Sequence, residues 1–165
     1  MRVALGALVA GALAGQVAGA AGFVLASPAF KSQGRIPVEY TCDGRNVSPP
    51  LRWTTPPAGT RAFALLMDDP DAPGRTFTHW IAWNIPASTR SLAAGARPLL
   101  EGTNDAGRVG YVGPCPPSGV HRYVFHLYAL RAPLRLARGA SRADFLAAVR
   151  DRVLAAARLV GRYGR

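Results

Sequence analysis

Lysine is almost absent from this chain of 165 residues: Lys31 stands alone among 20 basic residues, and the rest are arginine. Acids are few as well, nine in all, which leaves a formal charge of +11. Apart from Arg2, the arginines are spread from Arg35 to Arg165, with no basic block and no interleaving of aromatic and basic residues. That pattern excludes the usual footprint of a nucleic-acid binder, so no nucleic-acid partner is expected. The excess of Arg reads as a compositional bias toward Arg and Ala. A basic surface that attracts anionic lipid or nucleic acid is the other reading of such charge.

Cysteine is scarce too. Cys42 and Cys115 each lack a second Cys or His two to four residues away, so neither fits a structural zinc spacing. In an oxidising compartment the two can pair with each other; otherwise they are two partly buried thiols. No internal repeat and no compositional break points to a second domain.

The longest uncharged stretch lies at the start. Arg2 forms a minimal positive segment, Val3 to Ala14 is apolar, and Ala18-Gly19-Ala20 supplies a small-x-small cleavage site. Residues 1–20 are therefore read as a signal peptide and 21–165 as one folded domain. The uncharged run continues to Ala29, and ~20 apolar residues suffice to span a bilayer. Its Gly and Ala content makes it a weak anchor, so the reading is export with cleavage, to the periplasm or outside the cell, and no stable span afterwards. No cysteine lies near the cleavage region to carry a lipid.

Beyond the cleavage site, short extended segments alternate with Pro- and Gly-rich turns. Phe23 to Ser27, Val38 to Thr41, Leu51 to Trp53 and Phe63 to Met67 read as strands. In Thr78 to Ile85, the residues His79, Ile81, Trp83 and Ile85 fall on one face by period two. In Tyr123 to Leu130, Tyr123, Phe125, Leu127 and Ala129 alternate with Val124, His126, Tyr128 and Leu130. Ser88 to Gly107 lacks a period and reads as a surface connection. A helix is predicted from Ser141, as N-cap with Asp144 three residues on, through Phe145, Val149, Val153 and Val160 to a stop at Gly161. The fold class is mainly β, a β-rich α+β domain with a C-terminal helix.

Two stretches carry the chemistry. The apolar run before Met67 ends in Asp68-Asp69-Pro70-Asp71, and the next strand opens at His79. A stiff loop, Gly113-Pro114-Cys115-Pro116-Pro117-Ser118-Gly119, precedes His121-Arg122-Tyr123. Two loops of this kind suggest the rim of one pocket containing Asp69, Asp71, His79, His121 and Tyr123. Two imidazoles, a phenol and the backbone of a Gly-Pro loop suit a phosphate or carboxylate oxygen, with the acids orienting the histidines. Other readings stay open at this point: a His/Asp metal triad, a Cys115–His121 nucleophilic pair, an acid/base carboxylate pair, or acids that only cap turns and pair with Arg122. His126 points to the other strand face and reads as packed.

These stretches resemble the phosphatidylethanolamine-binding proteins, in particular their bacterial and archaeal Raf-kinase-inhibitor-like branch. The matching pieces are Asp69-Pro70-Asp71-Ala72-Pro73, His79-Trp80, Gly113-Pro114-Cys115-Pro116-Pro117 and Gly119-Val120-His121-Arg122-Tyr123. Tyr40-Thr41-Cys42-Asp43-Gly44 with Asn46-Val47-Ser48-Pro49-Pro50-Leu51, and the closing Leu159-Val160-Gly161-Arg162-Tyr163, match as well. The resemblance implies a large antiparallel sheet packed on a smaller one, peripheral helices, and a small anion pocket at one end. It places pocket acids at Asp69 and Asp71, histidines at His79 and His121, a tyrosine at Tyr123, and a rim at Gly113, Pro114, Pro116 and Pro117. Phe77 stands where eukaryotic members carry tryptophan. The implied function is binding of a small phosphorylated or carboxylate ligand without catalysis, cofactor or metal. The alternative is an inhibitor of an exported protease that works through surface loops such as Ser88 to Gly107.

Overall fold

The structure, a computed structural model, describes residues 22–165. The signal peptide expected over residues 1–20 lies outside the described residues. Among the described residues, eight strands form two antiparallel sheets. The small sheet contains β1 (Leu25–Ala26), β2 (Leu51–Trp53) and β5 (Ser91–Leu92) in the order β1-β2-β5. The large sheet contains β3 (Ala62–Asp69), β4 (Phe77–Pro86), β6 (Leu100–Glu101), β7 (Val120–Leu130) and β8 (Val153–Gly164) in the order β6-β4-β3-β7-β8. The helix α1 (Arg142–Arg150) lies between β7 and β8 in the chain.

The large sheet is covered on both faces, which is why its central strand β3 is buried at every position and shows no polar alternation. Phe63, Leu65 and Met67 point toward the small sheet, where they join Trp53, Tyr123, Phe125 and Leu127 in one core. Ala64 and Leu66 point the other way, toward Phe145 and Val149 of α1. No helix among the described residues is long and apolar enough to cross a membrane.

β4 departs from simple alternation twice. Met67 pairs with Trp80 but Asp68 pairs with Thr78, so His79 is an extra residue in a bulge. A second irregularity lies between the Phe63–Ile85 and Leu65–Ala82 pairs, where Asn84 takes a left-handed φ of 54°. The four residues expected on one face are therefore divided. Ile81 and Trp83 pack against α1, while Ile85 joins the core between the sheets and His79 stacks edge-on to Tyr123.

The predicted C-terminal helix is corrected in length. Ser141 does cap α1, its hydroxyl accepting from the Asp144 amide, but the helix ends at Arg150. From Val153 onward the chain is a strand paired along β7, Val124 opposite Val160 and Leu127 opposite Ala157. Ala, Leu and Arg are good helix formers, yet the long β7 edge offers a full ladder and a buried face, and tertiary pairing overrides propensity. Gly161 is no helix stop: it sits mid-strand beneath Ile36, whose Cγ1 would lie 2.4 Å from an added Cβ. Two smaller corrections accompany it. Val38–Tyr40 is a 3-10 turn, not a strand. The Ser88 to Gly107 connection contains β5 and β6.

Candidate functional site

The C-terminal end of β3, the start of β4, the start of β7 and the loop before β7 meet at one end of the large sheet. Between them is a cavity of about 330 Å³ lined by residues that include Asp69, Phe77, His79, Gly113, His121 and Tyr123. Pro116 and Pro117 form part of its wall, as do Ala72, Pro73, Ala106, Val112 and Cys115. This size suits a small-molecule group.

Asp69 is the organising acid. Its Oδ2 accepts from His121 Nδ1 at 2.7 Å, and its Oδ1 accepts from the Asp71 amide at 2.8 Å. One carboxylate thereby fixes an imidazole and the turn after β3. The ring atom of His121 left to meet a ligand is Nε2.

His79 is held differently. Its Nδ1 lies 2.8 Å from the Val112 carbonyl oxygen, which can only accept, so Nδ1 carries the proton and donates. Burial drives the His79 imidazole below its ordinary pKa of 6.5, against the opposing pull of the Val112 contact and nearby acids. A neutral ring protonated at Nδ1 presents a bare Nε2 to the cavity. The bulge makes this geometry, because it turns His79 away from the Ile81 face and toward Tyr123, with ring centroids 5.2 Å apart.

Tyr123 is fully buried, at 0% exposure, and its hydroxyl has no hydrogen-bond partner among the described residues. Burial first, and the Asp69 charge second, push its phenol above the ordinary value, so it remains a donor. The Cys115 backbone pulls the other way, but the hydroxyl forms no hydrogen bond of good geometry with it. An unpartnered hydroxyl in a cavity wall is a costly arrangement unless a ligand or water meets it.

Asp71 and Pro114 do not line the cavity. Asp71 Oδ2 accepts from the Arg122 amide and from Arg122 Nε, each at 2.9 Å, and its Oδ1 accepts from Nη2 at 2.6 Å. That bidentate contact brings the Asp71 carboxyl down to about 2. Asp71 thus staples the turn after β3 to the start of β7. The Pro114 carbonyl accepts from the Cys42 amide at 3.0 Å, beside a Cys42–Cys115 disulfide with Cα atoms 5.4 Å apart. Gly113 fits only as glycine: an added Cβ would lie 2.6 Å from both Asn46 Oδ1 and the Tyr40 carbonyl oxygen. Spacing alone did not single out Asp105, whose Oδ2 accepts from the Thr78 amide at 2.7 Å while Arg75 meets Oδ1 at 3.1 Å. It straps the opposite rim, and neither periodicity nor a motif marked it.

The sequence model of the family described as phosphatidylethanolamine-binding protein matches residues 26–164. The chain belongs to the phosphatidylethanolamine-binding protein family. A UPF0098 protein of Methanothermobacter thermautotrophicus is 50% identical over 148 residues, covering 86% of this chain and 98% of that one. A Mycobacterium tuberculosis protein bearing a lipoprotein name, LppC, is 43% identical over 143 residues, covering 84% of this chain and 71% of its own. The crystal structure of Escherichia coli YbcL, described as a member of the mammalian family, superposes with a TM-score of 0.82 at 31% identity. That comparison covers 88% of this chain and 99% of YbcL. The antiparallel two-sheet architecture is thus that of a phosphatidylethanolamine-binding protein, with the candidate site at its β3–β4–β7 end.

Proposed function

We propose that this family member is an exported, non-catalytic binding protein whose cavity takes the phosphate or carboxylate end of a small molecule. The observation that carries the reading is the set of polar atoms left for a ligand: the unpartnered Tyr123 hydroxyl and the Nε2 atoms of His79 and His121. Tyr123 serves as a donor to an anionic oxygen, and His121, its Nδ1 held by Asp69, meets the ligand through Nε2. His79, with its bare Nε2, accepts from a protonated oxygen or an N–H of the same ligand. Each histidine has its Nδ1 on an acceptor, the Val112 carbonyl for His79 and the Asp69 carboxylate for His121, which leaves Nε2 of both for the ligand.

Binding without turnover is supported by the wall. It contains no serine, threonine or lysine, and its cysteine is held in the disulfide, so no Ser, Thr, Cys or Lys nucleophile stands beside the Asp69–His121 pair. Export is supported by that disulfide and by the lipoprotein name of the mycobacterial relative.

The test is titration calorimetry with inorganic phosphate, acetate and phosphoethanolamine. Binding that weakens at least ~10-fold in His121→Ala with an unchanged melting midpoint supports the proposal. Equal affinity in that variant, or release of phosphate from phosphoethanolamine, overturns it. A second reading, contact with a protein target through the Ser88 to Gly107 segment, is favoured by Leu99, which is 89% exposed there. Replacement of Leu99 by Ser would abolish target binding and leave anion affinity as it was.

A further inference from the structure

A second, smaller cavity lies behind the segment that forms the rim of the first. It measures about 140 Å³, and Glu101, Ser48, Gly110, Tyr111 and Arg97 are among its walls. Glu101, on β6, is only 6% exposed. Its single side-chain hydrogen bond among the described residues is from Trp80 Nε1 to Oε1, at 2.8 Å. Neither Arg97 nor any other basic group among the described residues forms an ion pair with it. A buried carboxylate with one neutral donor is under-compensated, because buried charges ordinarily carry a counter-charge. Ser48 supplies an independent sign. It is 2% exposed, lines the same cavity, and its Oγ has no hydrogen-bond partner among the described residues.

We propose that this cavity is a cation site for ammonium or the protonated primary amine of a small molecule, with Glu101 as counterion and Ser48 as a second acceptor. The choice of a hydrogen-bonding monovalent cation follows from the donor set. A divalent metal requires several oxygen or nitrogen ligands. The described residues hold no group of three or more His, Cys, Asp or Glu that could take one. An R–NH3+ group instead carries a single charge and three N–H donors, two of which can be met by the free Glu101 Oε2 and the Ser48 hydroxyl. The site is independent of the anion cavity and shares no lining residue with it.

The experiment compares ammonium, methylammonium, sodium and tetramethylammonium chlorides at equal ionic strength, using the whole protein. Readouts are the melting midpoint and the Trp80 indole N–H resonance, which reports on its Glu101 bond. Ammonium or methylammonium is expected to shift that resonance and, at ten times its Kd, to raise the midpoint by about 3–6 °C. Glu101→Gln keeps an oxygen for Trp80 but removes the charge, and should weaken the response at least ~10-fold. Ser48→Ala should weaken it by a smaller factor and serves if the first variant does not fold. Response to methylammonium as well as ammonium supports the amine end of a larger molecule; response to ammonium alone supports the free ion. An identical response to all four salts, or an undiminished response in Glu101→Gln, overturns the proposal and leaves a cavity that holds water. His121→Ala should keep the cation response, which separates failure here from failure at the anion cavity.

Discussion

Asp69 holds His121 at 2.7 Å with one carboxylate oxygen and the Asp71 amide at 2.8 Å with the other. Losing the charge while keeping the shape separates these two duties. In Asp69→Asn the charged acceptor that orients the His121 ring is lost, and oxyanion affinity should fall about 10-fold or more while the turn is largely retained. Calorimetry with phosphate checks the first statement, and circular dichroism the second.

Tyr123 offers a trade between stability and binding. Its hydroxyl is buried without a partner, so Tyr123→Phe removes an unsatisfied group and should stabilise the ligand-free protein by about 1 kcal/mol or more. The same change should weaken phosphate binding. A melting midpoint that falls, or affinity that is unchanged, would remove Tyr123 from the ligand set.

Acid should act through His79 before it acts through the carboxylates. The folded-state pKa of His79 is depressed below 6.5, so between 6.5 and that lower value the unfolded chain binds the extra proton. The stability due to its neutral burial is complete above pH 6.5 and is lost as pH falls, at most about 1.4 kcal/mol per pH unit. Burial shifts His126 in the same sense. Asp71, near 2, keeps its contribution until the pH drops below 3.8. Urea midpoints from pH 7 to 5 should decline. His79→Asn, whose amide can still donate to Val112, should show a shallower decline.

Gly161 distinguishes strand from helix by sign. In a helix, Gly→Ala would stabilise by about 1 kcal/mol. In β8 the new methyl meets Ile36 and Phe30 at under 3 Å, so Gly161→Ala should destabilise by about 1–3 kcal/mol. Chemical denaturation decides it.

The disulfide closes a loop across 73 residues of sequence, and chain entropy assigns such a closure about 4 kcal/mol. Cys42→Ala with Cys115→Ala should therefore lower the urea midpoint clearly and, because Cys115 lines the anion cavity, weaken phosphate binding. Intact mass before and after reduction, two protons apart, verifies the bridge in the wild type.

Much of this was legible in the chain. The hydrophobic alternation of Tyr123 to Ala129 and the motifs around Asp69 and His121 depend on local residue types, and local patterns carry them. What sequence could not convey depends on partners distant in the chain. Val153 to Val160 has both a helical period and a strand's capacity, and only the neighbouring β7 selects between them. Residue types allowed Asp71 either a place in the pocket or a pairing with Arg75 or Arg122, and the structure selects Arg122. The tautomer of His79 is dictated by a carbonyl 33 residues away.

The two irregularities of β4 have a joint effect. Each advances the strand by one residue against its neighbour and inverts which side chains face which layer. Taken together they cancel, so His79 and Ile85 share an orientation while Ile81 and Trp83 between them are inverted. Each irregularity is one residue that β4 carries beyond what β3 can pair, so removal of Asn84 would leave Ala82 opposite Leu65 and Ile85 opposite Phe63 in simple alternation. Removal of His79 would likewise leave Thr78 opposite Asp68 and Trp80 opposite Met67, with the cavity imidazole as the only loss. The surplus residues are thus separable from the ladder, and the first of them exists to carry the imidazole.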